Sequence, residues 1–121
     1  MKKALRQPVI LGIAVFALFL NEAGATGNEG NLSVGAQIYK ENCRVCHGDK
    51  GNGKTFVANV LKPPPRNFTS PMVINTLSRE QMVASVTNGR PGTAMMPWKT
   101  ILTSEEIKVV IDHIRQTFMK P

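Results

Sequence analysis

The sequence is poor in aromatic residues and in cysteine. Its 121 residues include one Trp, one Tyr, five Phe and two Cys, which excludes a framework of several disulfides. The net charge is +7, but beyond residue 6 the Lys and Arg residues stand singly and do not alternate with aromatics. This distribution argues against nucleic-acid binding. A small domain with so few aromatics has only a marginal core of its own.

The N-terminal segment, residues 1–25, has the three parts of a secretory signal peptide. A basic start precedes the apolar stretch Val9–Leu20, and Ala23-Gly24-Ala25 fits a small-x-small cleavage site. The apolar stretch is shorter than the ~20 residues that span a bilayer comfortably, which favours cleavage over retention as a membrane anchor. We therefore predict a periplasmic protein with one domain, residues 26–121, and no stable membrane insertion after cleavage.

Both cysteines lie in one pentapeptide, Cys43-Arg44-Val45-Cys46-His47. A Cys-x-x-Cys-His run is the sequence pattern of covalent c-type haem attachment. On a helix, the i, i+3 spacing places Cys43 and Cys46 on one side of the backbone, where each thiol can form a thioether with one vinyl group of a porphyrin. His47 follows directly and is predicted to be the proximal ligand of the haem iron.

Other uses of a Cys-x-x-Cys pair fit the sequence less well. A thioredoxin-like redox pair would lie in a βαβ pattern, which is not present. A structural zinc site normally takes four Cys and His ligands. The chain has two of each, and His113 is far from the motif in sequence. A structural disulfide between Cys43 and Cys46 would leave His47 unexplained, so the motif favours one covalently bound haem.

Periodicity and breaker residues predict a helical chain. Thr26–Leu32 is polar and is expected to be a loose leader, and Ser33 is expected to cap a first helix that runs into the haem motif. Thr55–Leu61 is predicted to form a short helical stretch that ends at three prolines.

Two further helices are predicted to begin at capping boxes, Ser78–Gln81 and Thr103–Glu106. The first ends at Asn88-Gly89, and Met82 belongs to its apolar side. The second carries apolar residues at three- to four-residue spacing, which predicts a buried stripe. The stripe consists of Ile107, Val110, Ile111, Ile114 and Phe118.

From about Ser33 to Phe118 the sequence resembles the class I (mitochondrial-type) bacterial monohaem cytochromes c. In that family a Gly and an aromatic residue on the first helix pack across the last helix, and Gly35 and Tyr39 match these positions. The segment Gly48–Gly53 matches the family's Gly-rich loop after the haem His. The resemblance implies an all-α cytochrome c fold, with about four helices around one covalently attached haem and with the first and last helices crossing.

The resemblance also implies how His47 is held. In the family a nearby proline carbonyl accepts a hydrogen bond from the second nitrogen of the haem His, which fixes the ring. Pro63, Pro64 or Pro65 is expected to supply this carbonyl, and the sequence leaves open which one. Arg66 is either a partner of a haem propionate or an ordinary exposed side chain.

Residues 90–98, Arg-Pro-Gly-Thr-Ala-Met-Met-Pro-Trp, are predicted to form a loop that carries two thioethers. A thioether paired with His raises the haem potential. The family pattern, counted from Gly92 and back from Trp98, implies that Met95 is the second axial ligand. Met96 is the alternative, because many relatives have Pro directly after the ligating Met. Trp98 is expected to cover the haem edge.

His113 departs from the family, which usually has an aromatic residue at this position of the last helix. We expect a half-buried packing residue rather than an axial ligand, because ligation would require His113 to leave the helix crossing. The departure weakens the packing expected against Gly35.

Two protein ligands on the iron leave no open position for a substrate, so the expected function is one-electron transfer by a periplasmic carrier and not catalysis. The alternatives are a fixed haem c relay within a larger oxidoreductase complex and, if neither Met ligates, a five-coordinate haem that binds gases or peroxide. Redox partner proteins with acidic docking surfaces are expected to approach basic residues near the haem edge. These residues are Arg44, Lys50, Lys54, Arg90 and Lys99.

Overall fold

The computed structural model describes residues 26–121, and all regular secondary structure in that range is helical. Its helices are α1 (Thr26–Ile38), α2 (Arg44–His47), α3 (Pro71–Thr76), α4 (Arg79–Asn88) and α5 (Ser104–Phe118). A π-helical turn, Tyr39–Cys43, joins α1 to α2, and a 3₁₀ turn, Ala58–Val60, lies in the loop that follows. The predicted all-α class is therefore confirmed for these residues. Since α2 is a single turn, four longer helices remain, in agreement with the predicted number of about four. The predicted signal peptide lies outside the described residues.

The start of α1 differs from the prediction. Thr26–Leu32 is helical, and Ser33 is an interior residue whose Oγ donates a hydrogen bond to the Gly30 carbonyl oxygen at 2.8 Å. A Ser side chain can bond a carbonyl of the preceding turn inside a helix as well as cap a new one. The N-cap prediction for Ser33 was therefore wrong.

The first and last helices cross at Gly35, as predicted. A Cβ on Gly35 would lie 2.6 Å from the Val109 carbonyl oxygen and 2.7 Å from the His113 Cβ, so the two backbones can approach only because this residue is glycine. Tyr39 is buried one turn later, and its ring centroid lies 5.8 Å from that of His113 and 5.1 Å from that of Phe118. His113 is half-buried in this crossing, as expected.

Both predicted capping boxes are present. The Ser78 side chain accepts a hydrogen bond from the Gln81 amide at the start of α4, and the Thr103 side chain accepts one from the Glu106 amide at the start of α5. α4 ends at Gly89 and buries Met82, which confirms that Met82 belongs to the core. Of the predicted α5 stripe, Ile107, Val110, Ile111 and Ile114 are buried and Phe118 is partly buried against the same cluster.

Two segments before α4 are not as predicted. The helical stretch expected over Thr55–Leu61 is reduced to the 3₁₀ turn Ala58–Val60, whose first amide donates to Thr55 Oγ1 at 2.9 Å. α3 was missed, although Ser70 followed by Pro71 at the first helical position is a typical helix start. No helix within residues 26–121 is long and apolar enough to cross a membrane.

Candidate haem-binding site

The Cys-x-x-Cys-His motif lies where the π-helical turn passes into α2. Cys43 ends the turn and Cys46 lies in α2, and both are half-buried free thiols. π-helical turns of this kind are frequent at functional sites. Here Asn42 Nδ2 donates to the carbonyl oxygen of Ile38, the last residue of α1, at 3.0 Å. Burial, followed by the charge on Cys46, raises the pKa of Cys43 to about 12, so this thiol is protonated at neutral pH.

His47, the last residue of α2, is held by two neighbours. Its ring stacks on Phe68 with centroids 4.6 Å apart and planes 14° from parallel, and its Nδ1 lies 3.3 Å from the Arg66 carbonyl oxygen. A carbonyl oxygen can only accept, so this contact assigns the proton to Nδ1 and leaves the Nε2 lone pair free for a metal ion. Burial lowers the pKa of His47, against an opposing effect of the Arg66 carbonyl, and so favours the neutral ring that metals bind.

The carbonyl near His47 belongs to Arg66, so the expectation that Pro63, Pro64 or Pro65 supplies it was wrong. The Pro65 carbonyl lies instead against the Gly-rich loop, where a Cβ on Gly53 would be 3.0 Å from its oxygen. The carbonyl at the imidazole therefore comes from the residue directly after the last proline. The sequence alone does not indicate which carbonyl lies at His47, because this depends on the path of the loop.

Two hydrogen bonds to backbone carbonyls attach the Gly-rich loop after His47 to its surroundings. Tyr39 Oη donates to the Gly48 carbonyl oxygen at 2.7 Å, and the Phe68 amide donates to the Gly51 carbonyl oxygen at 2.8 Å. The first bond joins the residue after His47 to the α1 side of the molecule. The second brings Phe68 under the imidazole ring.

Phe68 was missed at the sequence level. It is 6 % exposed and belongs to the core cluster, although its neighbours Asn67 and Thr69 are polar. In a chain with so few aromatic residues, a single Phe in a polar segment is the signal that could have marked it as an anchor.

The loop with the two methionines is closed against α4. The Arg90 amide donates to the Met95 carbonyl oxygen at 2.9 Å, and the Trp98 amide donates to the Val86 carbonyl oxygen on α4 at 2.9 Å. A Cβ on Gly89, whose φ is 69°, would lie 2.8 Å from the Met95 carbonyl oxygen. Glycine is therefore required at the end of α4 both for the backbone angle and for the close approach of the loop.

The two candidate methionines differ in burial. Met95 is partly buried and packs against the core cluster, as does Trp98, whereas Met96 is 55 % exposed. Of the five basic residues expected near the haem edge, Arg90 is half-buried and Arg44 is exposed and lies 3.3 Å from the carboxylate of Asp49. The other three, Lys50, Lys54 and Lys99, are exposed.

The donor set fits a c-type haem. It offers two unbonded thiols three residues apart, an imidazole whose Nε2 is free, and a partly buried thioether on a separate loop. Within residues 26–121 the structure shows no group of three or more His, Cys, Asp or Glu arranged to hold a metal ion.

Comparisons with known proteins agree with this site. The family model described as "Cytochrome C oxidase, cbb3-type, subunit III" matches residues 30–114. Cytochrome c55X of Stutzerimonas stutzeri is 30 % identical over 92 % of this chain and 89 % of its own length. The chain belongs to the monohaem class I c-type cytochromes. As a member of this family it carries covalently bound haem c and functions in electron transport.

Two further matches show the range of proteins in which this cytochrome domain occurs. The solved structure of "KustC0563 c-type cytochrome" has a TM-score of 0.61 and 30 % identity, covering 69 % of this cytochrome and 95 % of that chain. The "Cbb3-type cytochrome c oxidase subunit CcoP" of Azospirillum sp. (strain B510) is 34 % identical over 82 % of this cytochrome. The match covers only 32 % of that relative, so this cytochrome resembles one part of a larger subunit.

Proposed function

We propose that this cytochrome is a periplasmic electron carrier whose haem is attached at Cys43 and Cys46 and ligated by His47 and Met95. The observation that carries the proposal is the fixed imidazole, which has its Nδ1 at the Arg66 carbonyl and its Nε2 free. If His47 and Met95 both ligate the haem iron, no position would remain for a substrate, and the haem would supply one-electron transfer with little rearrangement of atoms, which suits a carrier.

The partial burial of Met95 supports it over Met96 as the second ligand. A thioether that ligates the haem iron would have to be held away from water, and a side chain that packs on the core is easier to hold in this way than an exposed one. The hydrogen bond between the Arg90 amide and the Met95 carbonyl further restrains the loop at this residue.

The first test is the optical spectrum of the oxidised holoprotein beside the variants Met95→Ala and Met96→Ala. We expect a sulfur-to-iron charge-transfer band in the far red that is lost in Met95→Ala and retained in Met96→Ala, which serves as the matched control. Loss of the band only in Met96→Ala would show that Met96, and not Met95, is the second ligand. A native protein that lacks the band and binds carbon monoxide when reduced would contradict the closed site.

Export to the periplasm forms part of the proposal. It is supported by the signal-peptide pattern of residues 1–25 and by the two cysteines, whose thioether bonds are assembled on the oxidising side of bacterial membranes. Mass spectrometry of the protein purified from the periplasm tests it, and we expect a mature N-terminus at Thr26. An N-terminus at Met1 in the membrane fraction would favour an uncleaved anchor.

Docking to acidic redox partners is supported by exposed basic and apolar residues around α2. Lys50 and Lys54 are exposed, and Val45 on α2 is 60 % exposed. Phe56 precedes the 3₁₀ turn that packs against α2 and Val60 ends it, and they are 89 % and 74 % exposed. Exposed apolar and basic residues in the same region suit transient binding to a partner of opposite charge.

A fixed relay within a larger oxidoreductase complex is the second candidate, and the match to an oxidase subunit family favours it. Sedimentation of the mature holoprotein and its electron exchange with small redox proteins separate the two. A monomer that exchanges electrons freely in solution supports the carrier. Stable co-purification with a dehydrogenase or oxidase supports the relay.

A further inference from the structure

His113 lies in the crossing of α1 and α5, at a position where the family usually has an aromatic residue. Its Cβ is 2.7 Å from the place that a Cβ on Gly35 would occupy, so the imidazole starts at the close approach of the two backbones. The ring centroid lies 5.8 Å from that of Tyr39 and 6.0 Å from that of Phe118. The crossing is therefore packed partly by a ring that can take up a proton near neutral pH.

One edge of the His113 imidazole reaches solvent. Nδ1 lies 3.4 Å from the Thr117 hydroxyl oxygen, whereas Nε2 has no hydrogen-bond partner among the described residues. Within residues 26–121 no side-chain nitrogen or oxygen of a residue that is not exposed is both buried and without a partner, so Nε2 is accessible to water. The ring can therefore take up a proton without first leaving its place in the crossing.

The charged residues around His113 do not compensate a proton on its ring. Burial alone lowers the pKa of His113 below its ordinary value of 6.5, with no contribution from a neighbouring charge. On α5, Asp112 accepts hydrogen bonds from Arg79 of α4. Arg115 donates to the Leu77 carbonyl oxygen. The charged residues of the other segments that pack on the crossing are Glu29 in α1, Lys40 and Glu41 in the π-helical turn, and Asp49 and Lys50 in the Gly-rich loop.

A proton on His113 is therefore unfavourable in the folded protein. The charged ring is poorly solvated on the side that packs on Tyr39, where it gains no partner of opposite charge. The folded state binds this proton less tightly than the unfolded chain does. The contribution of the neutral ring to stability is complete above the ordinary His pKa of ~6.5 and decreases as the pH falls below that value.

Tyr39 connects the crossing to the haem motif. Its ring packs near His113, and its Oη donates to the carbonyl oxygen of Gly48, the residue after His47, at 2.7 Å. Burial raises the pKa of Tyr39 above its ordinary value, so the hydroxyl remains a donor throughout the range in which His113 titrates. A displacement of the Tyr39 ring therefore either lengthens this hydrogen bond or moves Gly48.

We propose that His113 is a proton-sensitive contact that couples the α1–α5 crossing to the loop after His47. A proton taken up from water by its ring weakens the packing on Tyr39, and the Tyr39 hydroxyl passes the change to Gly48. The effect on the haem rests on the proposed ligation by His47, whereas the acid sensitivity of the crossing does not. The structure thus gives this cytochrome a response to acidification at about pH 5–7, far above the pH at which its carboxylates titrate.

The acid sensitivity is tested by denaturant unfolding of the holoprotein from about pH 5 to pH 8, beside His113→Phe. We expect the unfolding midpoint to fall on acidification and to fall less in His113→Phe. A smaller fall remains in that variant because His47, the other His of the chain, can take up a proton once unfolding releases it. His113→Gln also removes the titration, and it carries the test if the larger ring prevents folding.

Two results of the unfolding experiment would overturn the inference. One is an equal fall in the native protein and in the His113 variants. The other is a midpoint that rises on acidification, because the imidazolium would then be stabilised by cation–π contact with Tyr39 and Phe118. Lys108→Gln, which removes an exposed charge elsewhere on α5, is the control and should follow the native curve.

The coupling to the haem is tested by proton NMR of the oxidised holoprotein across the same pH range. We expect the haem methyl shifts to follow the titration of the His113 ring protons, and this dependence to be lost in His113→Phe. Tyr39→Phe keeps the ring and removes the hydroxyl that donates to Gly48. In this variant His113 should still titrate, but the haem methyl shifts should no longer follow it.

Haem methyl shifts that still follow His113 in Tyr39→Phe would overturn the coupling through the Tyr39 hydroxyl. Shifts that titrate in His113→Phe as in the native protein would do the same, since another group would then be the cause. Absence of covalent haem or of the far-red band at pH 7 would instead contradict the proposed function. Such a result is visible in the mass and the optical spectrum of the unmodified protein before any titration.

Discussion

Gly35 and Tyr39 show how single residues position the haem motif. Gly35 lets α1 approach the α5 backbone at Val109, and the Tyr39 hydroxyl donates to the carbonyl of Gly48, the residue after His47. The Tyr39 ring is buried against α5, so the helix crossing and the proximal loop are joined through one side chain. A change at Gly35 should therefore affect stability and also the surroundings of His47.

We predict that Gly35→Ala lowers the free energy of unfolding of the holoprotein by about 1–3 kcal/mol, because its methyl group overlaps the Val109 carbonyl and the helices must separate. Gly30→Ala is the control, since a Cβ there meets nothing within 4 Å. It should be neutral or stabilising by up to ~1 kcal/mol, as Ala favours the helix over Gly. Denaturant unfolding measures both, and equal effects of the two substitutions would contradict the close crossing.

At the scale of elements, an ion pair links α4 to α5. Arg79 donates to both carboxylate oxygens of Asp112 at 2.6 and 2.8 Å, and Arg115 donates to the Leu77 carbonyl oxygen at 3.1 Å, just before α4. α4 in turn ends at Gly89, against which the methionine loop packs. The position of the proposed distal ligand thus depends on how α4 is held on α5.

The hydrogen bond from Arg79, with its charge, lowers the pKa of Asp112 below the ordinary value of 3.8. The folded state binds this proton less tightly than the unfolded chain, so the pair stabilises the fold above pH ~4 and loses its effect as the pH falls further. Both side chains are more than a third exposed, which limits the contribution at pH 7 to ~1 kcal/mol or less.

We therefore expect Asp112→Asn to be less stable than the native protein at pH 7, and we expect this deficit to shrink as the pH falls below about 4, in denaturant unfolding across a pH series. Lys108→Gln breaks the exposed pair with Glu105 and, as the control, should have a much smaller effect. A deficit of Asp112→Asn that persists unchanged at low pH would show that the carboxylate charge is not the cause.

At the scale of the whole molecule, the basic excess of the sequence bears on the proposed docking to acidic partners. The effect depends on where the charges lie. Lys54 is exposed in the loop after α2, near the proposed docking surface, whereas Lys108 is exposed on α5. The two lysines have the same charge, but Lys54 lies in the loop that follows the haem motif and Lys108 lies on another helix.

We predict that Lys54→Glu slows electron transfer with an acidic redox protein by roughly threefold or more at low salt, and that Lys108→Glu has a much smaller effect. The difference should disappear near 1 M salt, where the Debye length is ~3 Å. Stopped-flow kinetics across a salt series measures both variants. Equal slowing by the two would mean that only net charge matters and that the partner does not dock near α2.

Features that depend on neighbours in the chain could be predicted from the sequence. The capping boxes at Ser78 and Thr103 need only a side chain and an amide three residues apart, and the α5 stripe follows from the helical period alone. The haem motif is equally local, since covalent attachment requires two thiols and an imidazole within five residues. The local pattern failed at Ser33, where one residue type serves both at a helix start and inside a helix.

The sequence by itself determined that this chain holds one covalent haem in a helical fold, because thiol spacing and apolar period are properties of short segments. Only the tertiary structure decided that the Arg66 carbonyl lies at His47 and that Phe68 stacks on it. These contacts join residues about 20 or more positions apart. Their geometry is set by the path of the intervening loops and by packing in three dimensions, which no local pattern specifies.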